Sequence, residues 1–274
     1  MLRLSLLVAG LWSLAGTARA DEHAHAHHHA HDAHADHTGH ALLGGMHDHT
    51  PGYAVSVGVL AASYTSPIYE GDYQGAQVGA RATWGRVGVG ASLAAYRITK
   101  NGKTVDGIGD VTLHAHAVAV TRGAVMAGVM VMATLPTADD TAGLGMGHVM
   151  LMPEAWIMWT PGRLALSAAA GYARMFGGHA AHAEHGVALW PLVDPMNAVE
   201  LPFEGTAMVA LAPQLGIGAK LVGGVPLGDG DTRLAAGGRL AWIAGSVTTS
   251  AELLGGVAGD PFGLRGVIET SLRF

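Results

Sequence analysis

The chain has 274 residues, a formal net charge of −6 and no cysteine. The acidic balance argues against a nucleic-acid partner, and the missing thiols exclude disulfides, a lipoprotein anchor and thiolate metal sites. Only 13% of residues are charged, against 50% hydrophobic and 41 glycines, a balance that points to an exported membrane protein rather than an ordinary globular domain.

Residues 1–20, MLRLSLLVAGLWSLAGTARA, place Arg3 before an apolar core and end in Ala18-Arg19-Ala20. That is the layout of a secretory signal peptide with an A-x-A cleavage site, and the apolar run is short for a bilayer anchor. The mature chain is expected to begin at Asp21.

Residues 21–52 hold eleven of the seventeen histidines: His23, His25, His27, His28, His29, His31, His34, His37, His40, His47 and His49. With almost no apolar bulk to offset its ordering entropy, this segment is expected to be disordered. Closely spaced imidazoles of this kind chelate Cu(II), Ni(II) or Zn(II) in many exchanging arrangements. A solubilising or pH-responsive linker is the plainer reading, since histidine titrates near neutrality. His47 and His49, beside Met46 and Asp48, form a smaller candidate just before the first strand.

From Tyr53 onward, charges or prolines interrupt every apolar stretch before the roughly 20 residues a spanning helix needs. Period-2 segments alternate instead with turn signals. They predict strands at about 53–64, 75–84, 86–98, 109–121, 123–135, 147–159, 164–176, 203–212, 214–225, 232–243, 245–256 and 263–274. The expected fold is all-β: a transmembrane antiparallel β-barrel of about twelve strands over residues 53–274, the remaining way to satisfy a backbone in lipid.

Two further patterns agree. Tight connections at 85–86, 122–123, 160–163, 213 and 244–245 alternate with long ones, among them TSPIYEGDYQ, TKNGKTVDGI and the segment 177–202. Short periplasmic turns and long outer loops behave this way. Side chains also divide by parity: Leu264, Ile268, Leu272 and Phe274 oppose Arg265, Glu269, Ser271 and Arg273. Tyr53, Trp84, Trp159, Trp242 and Phe274 fall on the apolar face at the short-turn end, as an aromatic belt would. The terminal Phe274 resembles the signal read by the barrel assembly machinery. A soluble β-sandwich would need a solvated face along every strand, and the outward positions are too uniformly apolar for that.

The same parity places His114 and His116, then Met126, Met130 and Met132, then His148, Met150, Met152, Glu154 and Met158 on the inner wall of consecutive strands, with Met208 inward on the eighth. Thioether with imidazole suits copper, especially Cu(I), and silver; imidazole alone also suits zinc and nickel. A permeating ion needs weak, repeated ligands rather than a closed cage. The alternative is that methionine fills a narrow interior because it is flexible. His179, His182 and His185 in HAAHAEH, with Glu184, could share one ion on a helical turn of the longest outer loop, or be simply solvated. Enzyme signals are poor: Gly90-Ala91-Ser92-Leu93-Ala94 only half-matches a nucleophile elbow and lies within a strand.

The segments GIGDVTLHAHAVAV, ATLPTADDTAGLGMGHVMLMPEAWIMW and AAAGYARMF resemble the bacterial outer-membrane family named for the meta-pathway of phenol degradation. Its Gly-x-Gly-Asp strand opening corresponds to Gly107-Ile108-Gly109-Asp110. Its Leu-Pro-Thr-Gly element corresponds to Leu135-Pro136-Thr137 with alanine in place of the glycine, and its glycine-rich return to Gly143–Gly147. GGMHDHTPG resembles the His/Met stretch that a subset of the family carries before the first strand. The match covers roughly residues 45–176 and weakens beyond. The resemblance implies a porin-like channel or transporter.

The expected function is an outer-membrane channel that handles transition-metal ions (copper, zinc or nickel), with no required cofactor and no covalent chemistry. The histidine tail would sit in the periplasm, where a metal carrier would be its partner. The alternatives are a plugged barrel that sequesters metal, and a passive channel for small hydrophobic compounds.

Overall fold

The computed structural model describes residues 51–65, 70–177, 196–228 and 230–274. The signal peptide expected at 1–20, the tail histidines from His23 to His49, and His179, His182 and His185 lie outside the described residues.

Among the described residues, fourteen strands form one antiparallel sheet. They are β1 (Gly52–Thr65), β2 (Glu70–Trp84), β3 (Val87–Lys100), β4 (Lys103–Ile108), β5 (Val111–Arg122), β6 (Val125–Leu135), β7 (Val149–Trp159), β8 (Leu164–Gly171), β9 (Ala173–Phe176), β10 (Val199–Ala212), β11 (Leu215–Pro226), β12 (Arg233–Ala244), β13 (Val247–Ala258) and β14 (Phe262–Arg273). Strands β4 and β5 both pair with β3, and β8 and β9 both pair with β7 and β10. Each couple is therefore one interrupted barrel stave, which leaves twelve staves. The β1–β14 and β10–β11 pairings close the ring, so no edge is left unpaired around it.

Parity holds throughout. On β1, Val55, Val57 and Val59 are exposed while Ala54, Ala62 and Tyr64 are buried. Val78, Val89, Val129, Val131, Ile157, Val209, Ile217, Leu240, Leu253 and Ile268 continue the apolar outer face around the ring. A contiguous band of Val, Leu and Ile on this scale belongs in hydrocarbon rather than water. Tyr53, Trp84, Trp159, Trp242 and Phe274 are all exposed near the tight turns, and Tyr53 meets Trp84 edge-on at 6.4 Å. A bulge between Val118 and Val120 resets the parity of β5. Val118 keeps the inward parity of His114 and His116, whereas Val120, past the bulge, is exposed.

The tight turns fall where expected, but one long connection does not. Residues 99–108, expected as an outer loop, are a continuation of the β3–β4 hairpin. Asn101 and Gly102 both adopt positive φ, 48° and 76°, as a two-residue type I′ turn requires. Strands β2 and β10 also begin earlier than expected, at Glu70 and Val199.

The β6–β7 connection, residues 136–148, folds inward. Asp110 organises it: Oδ1 accepts the backbone N–H groups of Thr137 and Ala138 at 2.9 Å each, and Oδ2 accepts that of Met146 at 2.7 Å. Thr137 Oγ1 accepts the Val111 N–H, and Asp139 bonds Thr141 and Ala142. The Asp139 carboxyl is held below its ordinary pKa by the Thr141 hydroxyl first, and then by the Ala142 amide. Gly145 faces the Asp110 carboxylate with no room for a Cβ, and Gly147 sits at φ +67°. The Gly-x-Gly-Asp and Leu-Pro-Thr motifs thus meet as a structural latch. Held this way, Leu144 packs with Tyr64, Tyr73, Ile98 and Phe262 of the β1–β3 and β14 wall, while Met146 packs with Met150 and Met152 on β7. The connection therefore crosses the long-loop end of the lumen.

Candidate functional site

The lumen brings chemistry-bearing side chains together in one concave space. It holds two cavities of about 580 Å³ and 240 Å³. Gln77, Met132, Ser250 and Glu269 line both, so they adjoin at mid-barrel. The larger lies toward the long loops. The smaller, lined by Ser56, Arg81, Ser92, Thr112, His114, Thr248 and Ser271, reaches the tight-turn end.

The walls are chemically divided. Charges concentrate on β10–β14. Lys220 Nζ lies 3.6 Å from Glu204 and 3.3 Å from Glu252, and Arg239 pairs with Glu252. Glu269 accepts a 2.8 Å bond from Gln77 Nε2. That bond passes over Gly58 of the intervening strand, where a Cβ would crowd Gln77. Glu200, fully buried, binds Arg233 at 2.6 Å and accepts both Asn197 N and Nδ2. Six carboxylates and four cationic groups line the larger cavity, so it is polar with an acidic excess.

Sulfur and aromatic carbon occupy the other side. All ten methionines among the described residues are buried or half-buried, and none faces outward. They form two groups. Met130, Met158 and Met208 pack with Val118, Trp156, Ala165, Ala169 and Ala241, and Met126 joins them. This cluster joins β5–β8 to β10 and β12, and so fills one side of the tight-turn half. Met146, Met150 and Met152 pack around Ala173, with Met132, Met175 and Met196 against them. Met132, Met152 and Met196 also line the larger cavity.

The eleven lumenal residues singled out in the sequence are thus not one ladder. Met126 and Met130 lie in the lower apolar cluster; Met132, Met150 and Met152 lie in the upper thioether cluster. His114 and His116 pair across the sheet with Met132 and Met130, but their rings lie the other way, over Gly90 and Gly88 of β3. The missing side chains of those glycines make the space. His148 is buried immediately before β7 rather than within it. Among the described residues no three His, Asp or Glu side chains gather as a metal-holding group.

Five lumenal positions escape the sequence reading. Trp156 shares the face of Met150 and Met158 and is 4% exposed; its parity alone would have found it. Glu200 lies on β10 but before the strand expected at 203–212. Met175 sits on β9, and Met146 and Met196 lie in connections, where period-2 reasoning assigns no face.

No protein-family model matches the chain, and no curated protein does. Solved structures do match. An outer-membrane channel from Pseudomonas putida F1 superposes with a TM-score of 0.66 at 12% identity, covering 82% of this chain and 96% of that one. The NanC porin gives 0.53 at 10% identity, covering 81% and 99%. The KdgM porin gives 0.52 at 8% identity, again covering 81% and 99%. At these identities the likeness is one of architecture. The chain has the barrel fold of outer-membrane channels and porins.

Proposed function

We propose that the chain is a passive channel of the bacterial outer membrane, and that transition-metal ions are among its cargo. The channel reading rests on one observation: two lumenal cavities share four lining residues and together run from beside the inward-folded β6–β7 connection to the tight-turn end. The charged β10–β14 wall gives water and small solutes hydrogen-bonding partners along that route. In outer-membrane barrels the tight turns face the periplasm. Both ends of the barrel chain lie at that end, where Phe274 N donates to Tyr53 O, so the histidine segment preceding Gly52 would emerge on the periplasmic side. With no energy source in a barrel, direction would follow gradients or a periplasmic carrier. The metal part is supported by the eleven tail histidines and the inward methionines. Zinc and nickel suit the tail, and Cu(I) suits the thioether wall.

A second reading is favoured by the division of the lumen. A wall of Met, Tyr73 and Tyr96 facing a wall of charges would also suit an amphipathic small molecule lying between them, which agrees with the family resemblance above.

Planar-bilayer recording tests the channel: the purified chain should give discrete, ohmic current steps, and a sealed barrel would pass none. Growth and metal accumulation of a deletion strain, metal by metal, test the cargo. Unchanged tolerance to copper, zinc and nickel, with slowed uptake of an aromatic acid, would favour the amphipathic solute instead.

A further inference from the structure

Methionine is segregated in this barrel beyond what filling requires. On the β1–β3 and β14 wall the interior is filled by Tyr64, Tyr73, Ile98, Leu144 and Phe262, so the chain can fill lumen with branched and aromatic carbon. The outer face uses Val, Leu and Ile and no methionine among the described residues. Yet six thioethers meet around Ala173, from β6, β7, β9 and two connections. Leucine would fill that space with a comparable volume and a better-defined rotamer. What leucine lacks is a soft, neutral donor atom.

We propose that Met132, Met146, Met150, Met152, Met175 and Met196 form a binding site for a soft monovalent cation, Cu(I) or Ag(I). Thioether sulfur is a poor ligand for zinc, nickel or calcium and a good one for these two ions. The site is reachable, because Met132, Met152 and Met196 line the larger cavity. It is also held in place. The Met146 amide is fixed by Asp110, and Met175 N donates to Ala198 O, tying β9 to the residues just after Met196. Met150 stands opposite Met175 and Met132 opposite Met152 in the sheet register, so cross-strand pairs bring their sulfurs within reach of one ion. Several neutral thioethers with no thiolate would hold a cation weakly enough to release it, as a transit site must. The site deepens the metal part of the function proposed above but does not depend on ion flow: a barrel that conducts nothing could still hold silver here.

The test is silver titration of the full-length, detergent-folded chain bearing ¹³C-labelled methionine methyl groups. The methyl signals of the six cluster residues are expected to shift on Ag(I) addition, while those of Met126, Met158 and Met208 stay. The Met146→Leu/Met150→Leu/Met152→Leu variant should lose the tightest-bound silver equivalent, weakening that step at least about tenfold, as loss of several soft ligands implies. It should keep the heat-modifiable gel shift of a folded barrel and the Ni(II) uptake of the histidine tail. Unmoved cluster signals in the unsubstituted chain would overturn the site, and so would equal silver affinity in a folded triple variant. If the triple variant does not fold, the methyl shifts of the unsubstituted chain decide alone. Current steps in the bilayer report separately on the channel, so failure of one claim is distinguishable from failure of the other.

Discussion

Replacing Asp110 with alanine should release the β6–β7 connection from the outer mouth. The side chain accepts three backbone N–H bonds, from Thr137, Ala138 and Met146, at 2.9, 2.9 and 2.7 Å. Hydrogen bonds to a charged acceptor contribute about 1.5–3 kcal/mol each when shielded. These are at best half-shielded, so water recovers part of that, and about 1 kcal/mol per bond is a fair discount. The sum, about 3 kcal/mol, corresponds to a rise of roughly 150-fold in the released population. Two readouts follow. Cleavage within 136–148 by a non-specific protease, added from the long-loop side of proteoliposomes, should accelerate in proportion to that population. Single-channel records should gain a larger conductance level, because Leu144 and Met146 no longer bridge the two walls. Asp110→Asn keeps an oxygen for Thr137 and Ala138 but turns an N–H toward Met146, so its effect should be smaller, about tenfold. Unchanged cleavage and unchanged conductance in Asp110→Ala would refute the latch and leave the apolar packing of Leu144 as what holds the connection.

Three other outcomes are expected. Arg233→Ala should destabilise the barrel by about 3–5 kcal/mol in urea-gradient unfolding from liposomes, because it strands the fully buried Glu200 carboxylate; adding Glu200→Gln should recover part of the loss. Trp156→Ala should cost about 3–5 kcal/mol for the cavity it leaves, and should raise conductance if the lower methionine cluster narrows the tight-turn half. Val129→Arg, at a 54% exposed position on the outer face, should cost about 2–4 kcal/mol if that face meets lipid near the midplane, whereas the same charge in water would be almost neutral.

The staves, the tight turns and the aromatic belt were legible because parity is local: Tyr53, Trp84 and Trp242 need only their own strand to be assigned a face. Side-chain direction within the lumen was not, since it depends on partners far along the chain. His114 and His116 point over Gly90 and Gly88, and that follows only once β3 is known to pair with β5. The alternating glycines of GVGVG were the available signal. Likewise Asp110 reaches backbone groups 27 to 36 residues away, so its motif marked a resemblance without disclosing that it folds a connection across the mouth. Asn101-Gly102 was a local signal that went unused; its two positive-φ residues turn an expected loop into a hairpin. Pro202 made the start of β10 look later than it is, and Glu200 was lost with it.

The central claim is that a continuous water-filled path passes Gln77 and Ser250, the residues common to both cavities. The chain has no cysteine, so single cysteines report without background. In planar bilayers, Gln77→Cys and Ser250→Cys should each lose current on addition of a bulky, charged, water-soluble thiosulfonate. Val57→Cys and Leu253→Cys, both exposed on the outer face, should be unaffected. Current blocked from 57 and 253 but not from 77 and 250 would contradict the path and the inside–outside assignment beneath it.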